Sequence, residues 1–436
     1  SQVLTSASLG DGVLSITLEP EKEDELHIKN SKIGLGSRKA EIFLEGLNTK
    51  EIHPDLIALS TILICHPFVS SRLKLPCKVS DYFLETCRSV ITRYSLEGET
   101  EDSIQPIKPP NRGRPGLAFS GGADSTAALS VMPSSTVPIF MNRPMKKGSQ
   151  YNSDAALNSC NFLNEVGFDM IIVDSDLEYV RDPVGFPTDI AHSIPAILLS
   201  QHLGLDSIAF GTVLESAYGI GHERFIDYPK SAHYRFFGTM LSAIGLQMSL
   251  PVAGISEVGT AIINKNSDLG IIAQSCIRGG VGLPCLNCWK CFRKELLGMA
   301  ISLPSSGLTI AGIMLSSEVQ KKLSEFPINH ENVITFSIQN INMDEHRYLR
   351  VLRNRLNTEQ DLEFLRNWNK SSIEVVPQRY ADSVRKRILS YIEPMSSTHE
   401  EQMRSWDMMP FLESKRAKEK HFELTSFWQD FYGEES

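Results

Sequence analysis

Apolar and polar positions alternate in short runs through the first 50 residues, in VLSITLEP, LHIKN and AEIFLEGL, with Gly and Asn between them. A period of two suits half-covered strands, so these runs predict a small, β-rich antiparallel region. From 51 to 98 the pattern turns helical, around DLIALSTILICHPF and DYFLETCRSVITRY. The stretch EGETEDSIQPIKPPNRGRPG (97–116) is polar, then rich in Pro, Gly and Arg, and reads as a linker.

At Gly116 the texture changes. LAFS, VPIFMN, MIIVDSD and DSIAFGTV are short apolar runs fit for buried strands. Between them lie TAALSVM, DAALNSCNFLNEVG and IPAILLSQHLG, with helical spacing, and the last two end in Gly. Strand and helix in alternation, joined by short turns, predict right-handed crossovers and a parallel sheet covered on both faces. The fold class expected is α/β, a doubly wound parallel sheet over 112–300, with an N-terminal β-rich or mixed domain and linker over 1–111. Beyond 300, segments such as MDEHRYLRVLRNRL, TEQDLEFLRNWN and YADSVRKRILSYI carry helical periodicity with one charged face, so 301–436 is expected to be a helical extension.

Composition narrows the class. Hydrophobic residues make up 42% and charged residues 22%, as in a globular protein with a sizeable core, and the net charge of −9 argues against non-specific nucleic-acid binding. SQVLTSASLGDG has neither a basic nor an apolar leader segment, and no apolar run reaches eighteen residues. No membrane association is expected, and the cytoplasm is the expected compartment.

Two motifs carry chemistry. The first is Ser120-Gly121-Gly122-Ala123-Asp124-Ser125, which joins the first strand of the α/β region to its helix. Paired glycines let backbone approach a phosphate, and the free N–H groups and dipole of a helix start favour an anion. Ser120 and Ser125 add hydroxyl donors. Asp124 suits such a place only as a Mg²⁺ ligand or as a holder of the loop. The Gly-Lys-Ser/Thr ending of a Walker loop is missing. The second motif is Cys276-x8-Cys285-x2-Cys288-x2-Cys291, four of the eight cysteines. Four thiolates at such spacing suit a closed tetrahedral zinc site, an iron–sulfur cluster or catalytic thiols.

The first motif resembles the SGGxDS signature of the PP-loop ATP pyrophosphatases. The resemblance implies ATP as substrate, with Ser120, Gly121, Gly122, Asp124 and Ser125 on its β,γ-pyrophosphate and Ser120, Asp124 and Ser125 in the catalytic role. It places the adenine against the second strand at Phe140, Met141 and Asn142, and Gly211 after the fourth strand beside the nucleotide. Loop and cysteine cluster together are similar to the 7-cyano-7-deazaguanine synthase family, over about 112–300. That similarity selects zinc for the cysteines. It implies adenylation of a carboxylate or amide oxygen, with release of pyrophosphate and then AMP, for amidation or nitrile formation on a deazaguanine-like base. Two departures bear on the base. Thr188-Asp189-Ile190-Ala191-His192-Ser193 stands where the family has Pro-Gly-Arg-Asn, and ESAYGIGHERFIDYPKSAHYR replaces its Tyr-Pro-Asp-Cys stretch.

Two other acceptors follow from the same resemblance. PP-loop enzymes also insert sulfur into a base or tRNA, which would need a reactive thiol, and Cys65, Cys77, Cys87 and Cys160 are the free ones. Enlarged relatives of the synthase occur in bacterial anti-phage defence operons, where a companion protein is modified or bound. The flanking regions of this chain suit such a partner.

The remaining candidates are single residues. His192, His222, His233, Glu215 and Glu223 lie in or near the divergent segments as possible acids or bases. Lys290, Arg293 and Arg278 flank the cysteine hook and suit phosphate or carboxylate binding, or a solvated loop. HRYLRVLRNR (346–355) is a basic helix face for an acidic partner, tRNA or solvent.

Overall fold

The structure, a computed structural model, describes residues 2–433 apart from 30, 45, 47–51, 147, 148, 275 and 343–345. Parts of the runs expected at 26–30, 40–47 and 343–356 therefore lie outside the described residues.

One eight-stranded, mostly parallel sheet organises the molecule. Its strands are β1 (Leu4–Gly10), β2 (Val13–Glu19), β3 (Lys39–Phe43), β4 (Arg114–Phe119), β5 (Val137–Asn142), β6 (Ile171–Ser175), β7 (Leu205–Ala209) and β8 (Gln247–Ser249). They lie in the order β1-β2-β3-β6-β5-β4-β7-β8. The five strands from β6 to β8 run parallel, and β3, β2 and β1 add to β6 antiparallel. The burial patterns match. In β2 every second residue is buried, as in a strand with one wet face, whereas the last five residues of β4 are all buried.

The N-terminal strands thus continue the α/β sheet across the β3–β6 pairing at Ile42↔Ser175 and Phe43↔Asp174. The expected LHIKN strand is instead part of α1 (Lys22–Lys29). Glu23, Asp24 and Glu25 fill its first turn and His27 and Lys29 its last, the charge order a helix dipole favours.

Helices cover both faces. On one face α2 (Pro54–Cys65), whose described residues after Pro54 are all buried, packs with α3 (Asp81–Val90) into the core that takes Ala118, Ile139 and Met141. On the other, α4 (Ala123–Val131) and α5 (Asp154–Glu165) bury Ala127, Val131, Cys160 and Leu163 against Leu117, Phe119 and Phe140. The chain changes face through α6 (Ile194–Leu199), on the α2 side, to reach β7. Because β5 and β7 flank β4 on opposite sides, the carboxyl ends of β4 and β7 open a crevice where the strand order reverses.

The rest is mainly helical: α7 (Ala232–Ser242), α8 (Glu257–Asn266), α9 (Trp289–Ala300), α10 (Glu331–Gln339), α11 (Arg347–Arg355) and α12 (Gln378–Leu389). TEQDLEFLRNWN, expected as a helix, forms only a 3₁₀ turn at Glu363–Arg366. α12 packs Tyr380, Val384 and Ile388 into the same core as α4, so the C-terminal region supports the helix that follows the Ser120–Ser125 loop. Among the described residues no helix is long and apolar enough to cross a membrane.

Candidate functional site

Ser120–Ser125 closes on itself where β4 meets α4. Ser120 N–H donates to Ser125 Oγ at 3.2 Å, the two hydroxyls lie 3.0 Å apart, and Gly122 N–H donates to Ser120 Oγ at 3.3 Å. Gly121 takes φ +73°, a left-handed turn that a side chain would strain. Gly122 caps α4 without a side-chain hydrogen bond, which leaves the first amides of the helix for another acceptor. Asp124 Oδ1 accepts from Thr260 Oγ1 at 2.8 Å, and Asn264 Nδ2 donates to Ala123 O at 2.8 Å, so α8 holds the loop from behind.

Two adjoining cavities meet on this loop. The larger, about 460 Å³, is lined by Ser120, Gly122, Asp124, Ser125, Gly211 and Lys290, and on its far wall by Asp189, His192, Tyr228 and His233. The smaller, about 210 Å³, has apolar walls of Phe119, Phe140, Met141 and Phe186, and a polar edge of Arg143, Tyr151, Glu178 and Gln274. Ser120, Gly122, Phe186, His192 and Lys290 line both.

Gly211 is a glycine for steric reasons. A Cβ there would stand 2.8 Å from Ser125 N and 3.0 Å from Asp124 C, inside the loop backbone. Of the three residues expected at the second strand, Phe140 and Met141 line the smaller cavity. Asn142 lines neither; its amide donates to Asp174 Oδ1 at 2.7 Å and ties β5 to β6. Gly121 lines neither cavity and acts through its turn, its carbonyl accepting from Gln274 N at 3.0 Å.

The four cysteines come together, all four sulfurs within 4.8 Å of one another and Cys285 Sγ 3.7 Å from Cys291 Sγ. Zinc–sulfur bonds of about 2.3 Å require tetrahedral edges of about 3.8 Å, so the set fits a zinc ion. The hook also starts α9: Cys288 is its N-cap, with Sγ accepting from Cys291 N at 3.4 Å. Lys290, on the first turn of that helix, reaches over the loop, 3.7 Å from where a Cβ on Gly122 would be. Burial and the neighbouring Lys294 push its ammonium below the ordinary lysine range. Arg278 turns away to Glu318 at 2.6 Å.

The next turn of α9 is buried behind the loop. Glu257, the first residue of α8, takes Arg293 Nη1 at 2.6 Å, His330 Nδ1 at 2.7 Å and Lys294 Nζ at 3.5 Å. Burial works against its charge, but Lys294, His330 and Arg293 together hold the carboxyl well below the usual range. Glu215 accepts from Glu257 N at 3.1 Å and from Asn332 Nδ2 at 3.0 Å. Desolvation, with the charge of Glu257 beside it, pushes Glu215 up to about 8. Arg293 and Glu215 line neither cavity.

The far wall differs. His192 packs between Phe186 and Phe210, and burial pushes its imidazole down to about 4, so it faces the cavities neutral. His233 Nε2 contacts Asp189 Oδ2 at 2.7 Å, and its Nδ1 meets Tyr228 Oη at 3.0 Å. Glu223 and His222 line neither cavity; their carbonyls accept from Met408 N and Trp406 Nε1. Outside the hook, none of Cys65, Cys77, Cys87 and Cys160 lines the cleft. Burial pushes the Cys160 and Cys65 thiols up to about 12, so neither is a ready nucleophile.

Sequence reasoning missed Arg143, Tyr151, Glu178, Phe186, Asp189 and Tyr228. The Arg143 guanidinium stacks 4.2 Å from the centre of Tyr151 and pairs with Glu178 at 3.1 Å. The only local signal was the place of Arg143 directly after the strand whose end was expected to meet a nucleobase. The basic face 346–355 turns partly inward: Arg355 is buried on Glu331 at 2.9 Å, and Arg353 donates to Ile338 O and Ile341 O.

A family of unknown function, DUF6395, matches residues 236–407, a span that holds α8, the cysteine hook, Glu257 with its three basic partners and α10 but not the Ser120–Ser125 loop. No curated protein and no solved structure matches the chain.

Proposed function

We propose that the chain is a PP-loop adenylating enzyme that cleaves ATP to AMP and pyrophosphate to activate a carboxylate or amide oxygen for attack by a nitrogen nucleophile. One observation carries this reading: Lys290 Nζ stands over the uncapped start of α4, where the Ser120–Ser125 loop opens to both cavities. Loop amides and an ammonium at one point suit a pyrophosphate. The 210 Å³ cavity, apolar with a polar edge, suits the adenine. The 460 Å³ cavity leaves room for the acceptor beside the α-phosphorus.

In this reading the loop amides and Lys290 hold the β,γ-phosphates and stabilise the charge that grows on them as the α-phosphorus is attacked. Asp124, with Oδ1 engaged by Thr260, would offer its other oxygen to a Mg²⁺, which would supply charge neutralisation for the leaving pyrophosphate. The four cysteines would hold zinc as a structural ion, and Cys288, the N-cap of α9, would tie that ion to the start of the helix that carries Lys290. The acceptor is a deazaguanine-like acid by resemblance. Sulfur transfer is disfavoured because Cys160 is buried in the core and Cys276, the cysteine that lines the cleft, belongs to the four-cysteine hook.

The test is nucleotide turnover with 7-carboxy-7-deazaguanine and ammonium, separating AMP plus pyrophosphate from ADP plus phosphate. AMP formation that depends on the acid, with an amide or nitrile product, is the expected result. ADP formation, or no dependence on any carboxylate, would overturn the reading.

A further inference from the structure

The far wall of the cleft carries a chain of three groups that binding ATP does not require. Tyr228, buried and lining the 460 Å³ cavity, places its hydroxyl 3.0 Å from His233 Nδ1. His233 Nε2 lies 2.7 Å from Asp189 Oδ2. A carboxylate only accepts hydrogen bonds, so Nε2 carries the ring proton and Nδ1 accepts from Tyr228. The tautomer is set by Asp189, as a carboxylate sets it in hydrolytic triads.

His233 also stands in the first turn of α7, where the helix dipole opposes an imidazolium. Asp189 is the group that offsets this, and the contact draws the Asp189 carboxyl below its ordinary range.

A second observation gives the chain a direction. An open pocket of about 770 Å³, between α3 and α7, is lined by His66, Arg93, Arg235 and Phe236. Asp189 and His233 line that pocket and the phosphate cleft alike. The pair therefore stands at the junction of the outer pocket and the 460 Å³ cavity, and the outer pocket shares no lining residue with the 210 Å³ cavity.

We propose that Tyr228, His233 and Asp189 form the proton relay of the displacement step, and that the outer pocket is the approach of the nitrogen nucleophile. This rests on the adenylation reading above. As the nucleophile nitrogen bonds to the acyl carbon, the carbon–oxygen bond to the phosphate breaks and its electron pair leaves with AMP. The nitrogen gives its proton to Tyr228 Oη while the proton of Tyr228 passes to His233 Nδ1. The imidazolium formed faces Asp189 until it returns its proton to solvent. Tyr228 is the catalytic residue of the chain, and His233 and Asp189 act through it.

The experiment separates the two half-reactions in one protein. Pyrophosphate–ATP exchange with 7-carboxy-7-deazaguanine reads adenylation, and amide formation with ammonium reads displacement. Tyr228→Phe and His233→Gln should keep exchange within about threefold of the parent and lower amide formation about 100-fold, the usual scale of proton-transfer assistance. Asp189→Asn should lower it about 10-fold. Hydroxylamine, a nucleophile that depends far less on a base, should restore capture in both relay variants. Exchange and capture falling together, or capture unchanged in Tyr228→Phe and His233→Gln, would overturn the relay alone. No exchange in the parent protein would overturn the adenylation reading, and the relay with it.

Discussion

Two charged clusters lie on either side of the Ser120–Ser125 loop, and they are built on opposite principles. Behind the loop, Glu257 is 3% exposed and saturated by Arg293, Lys294 and His330, with Glu215 buried beside it. In front, Asp189 and His233 form one exposed pair at a junction of two cavities. The first has no room for a ligand and every reason to hold its shape. The second has one contact on each side and open space next to it. The sequence offered Glu215 and Arg293 of the first cluster and His233 of the second as candidates alike, because residue type does not record burial. The contrast teaches that saturation by neighbours, more than the presence of ionisable groups, separates a brace from a chemical wall.

The comparison breaks most readily at the brace. Glu257→Ala leaves Arg293, Lys294 and His330 crowded behind the loop without a counter-charge. Removing one partner of a buried pair costs about 3–5 kcal/mol. The expected outcome in chemical denaturation is a stability loss of that size, with nucleotide binding lost as α8 loosens its hold on Asp124. A loss below about 1 kcal/mol would show that the cluster is not a brace.

Lys290 sharpens the contrast because it stands one turn before Arg293 and Lys294 on the same face of α9, yet it lines both cavities and they line neither. Lys290→Met should leave the melting temperature near that of the parent and lower AMP formation about 100-fold, the range seen when one charge-stabilising donor is removed. Removing the metal with a chelator should reproduce the loss of turnover, since Cys288 caps the helix that carries Lys290. Zinc content measured alongside would tie the two, and full turnover by metal-free protein would separate them.

Much of the loop wall was legible. Gly-Gly between a strand and a helix, and four cysteines in sixteen residues, are local patterns whose chemistry follows from spacing. Gly211 followed from the resemblance, and the structure gives its steric reason in the approach to Ser125 N. Gly211→Ala should therefore cost about 1–3 kcal/mol, the scale of overpacking, and raise the KM for nucleotide. An unchanged KM would place the nucleotide elsewhere. The integration of the N-terminal strands was not legible, because alternation predicts a strand but not its neighbour. Of the far wall the sequence offered His192 and His233 but not their partners: Asp189, Tyr228 and His233 are up to 44 residues apart and meet only in the fold. The lone cysteines illustrate the same limit, since only packing shows that Cys160 faces a core rather than a cleft.

The smallest expected effect lies inside the brace itself. Glu215 is raised to about 8 in the folded chain, first by desolvation and then by Glu257, against an ordinary value of 4.5. Between those values the unfolded chain has lost the proton and the folded chain keeps it. The folded state binds more protons there, so this group's contribution is fully present below 4.5 and declines as pH rises towards 8. Glu215→Gln keeps an acceptor for Glu257 N–H and Asn332 and has no proton to lose. Its melting temperature relative to the parent should climb as pH is raised from 5 to 8.5, by a few degrees at most, and change little below pH 5. A flat difference across that range would mean that Glu215 is ionised in the folded chain. In that case the brace would hold two carboxylates against Arg293, Lys294 and His330 and would resemble the exposed wall more than its burial suggests.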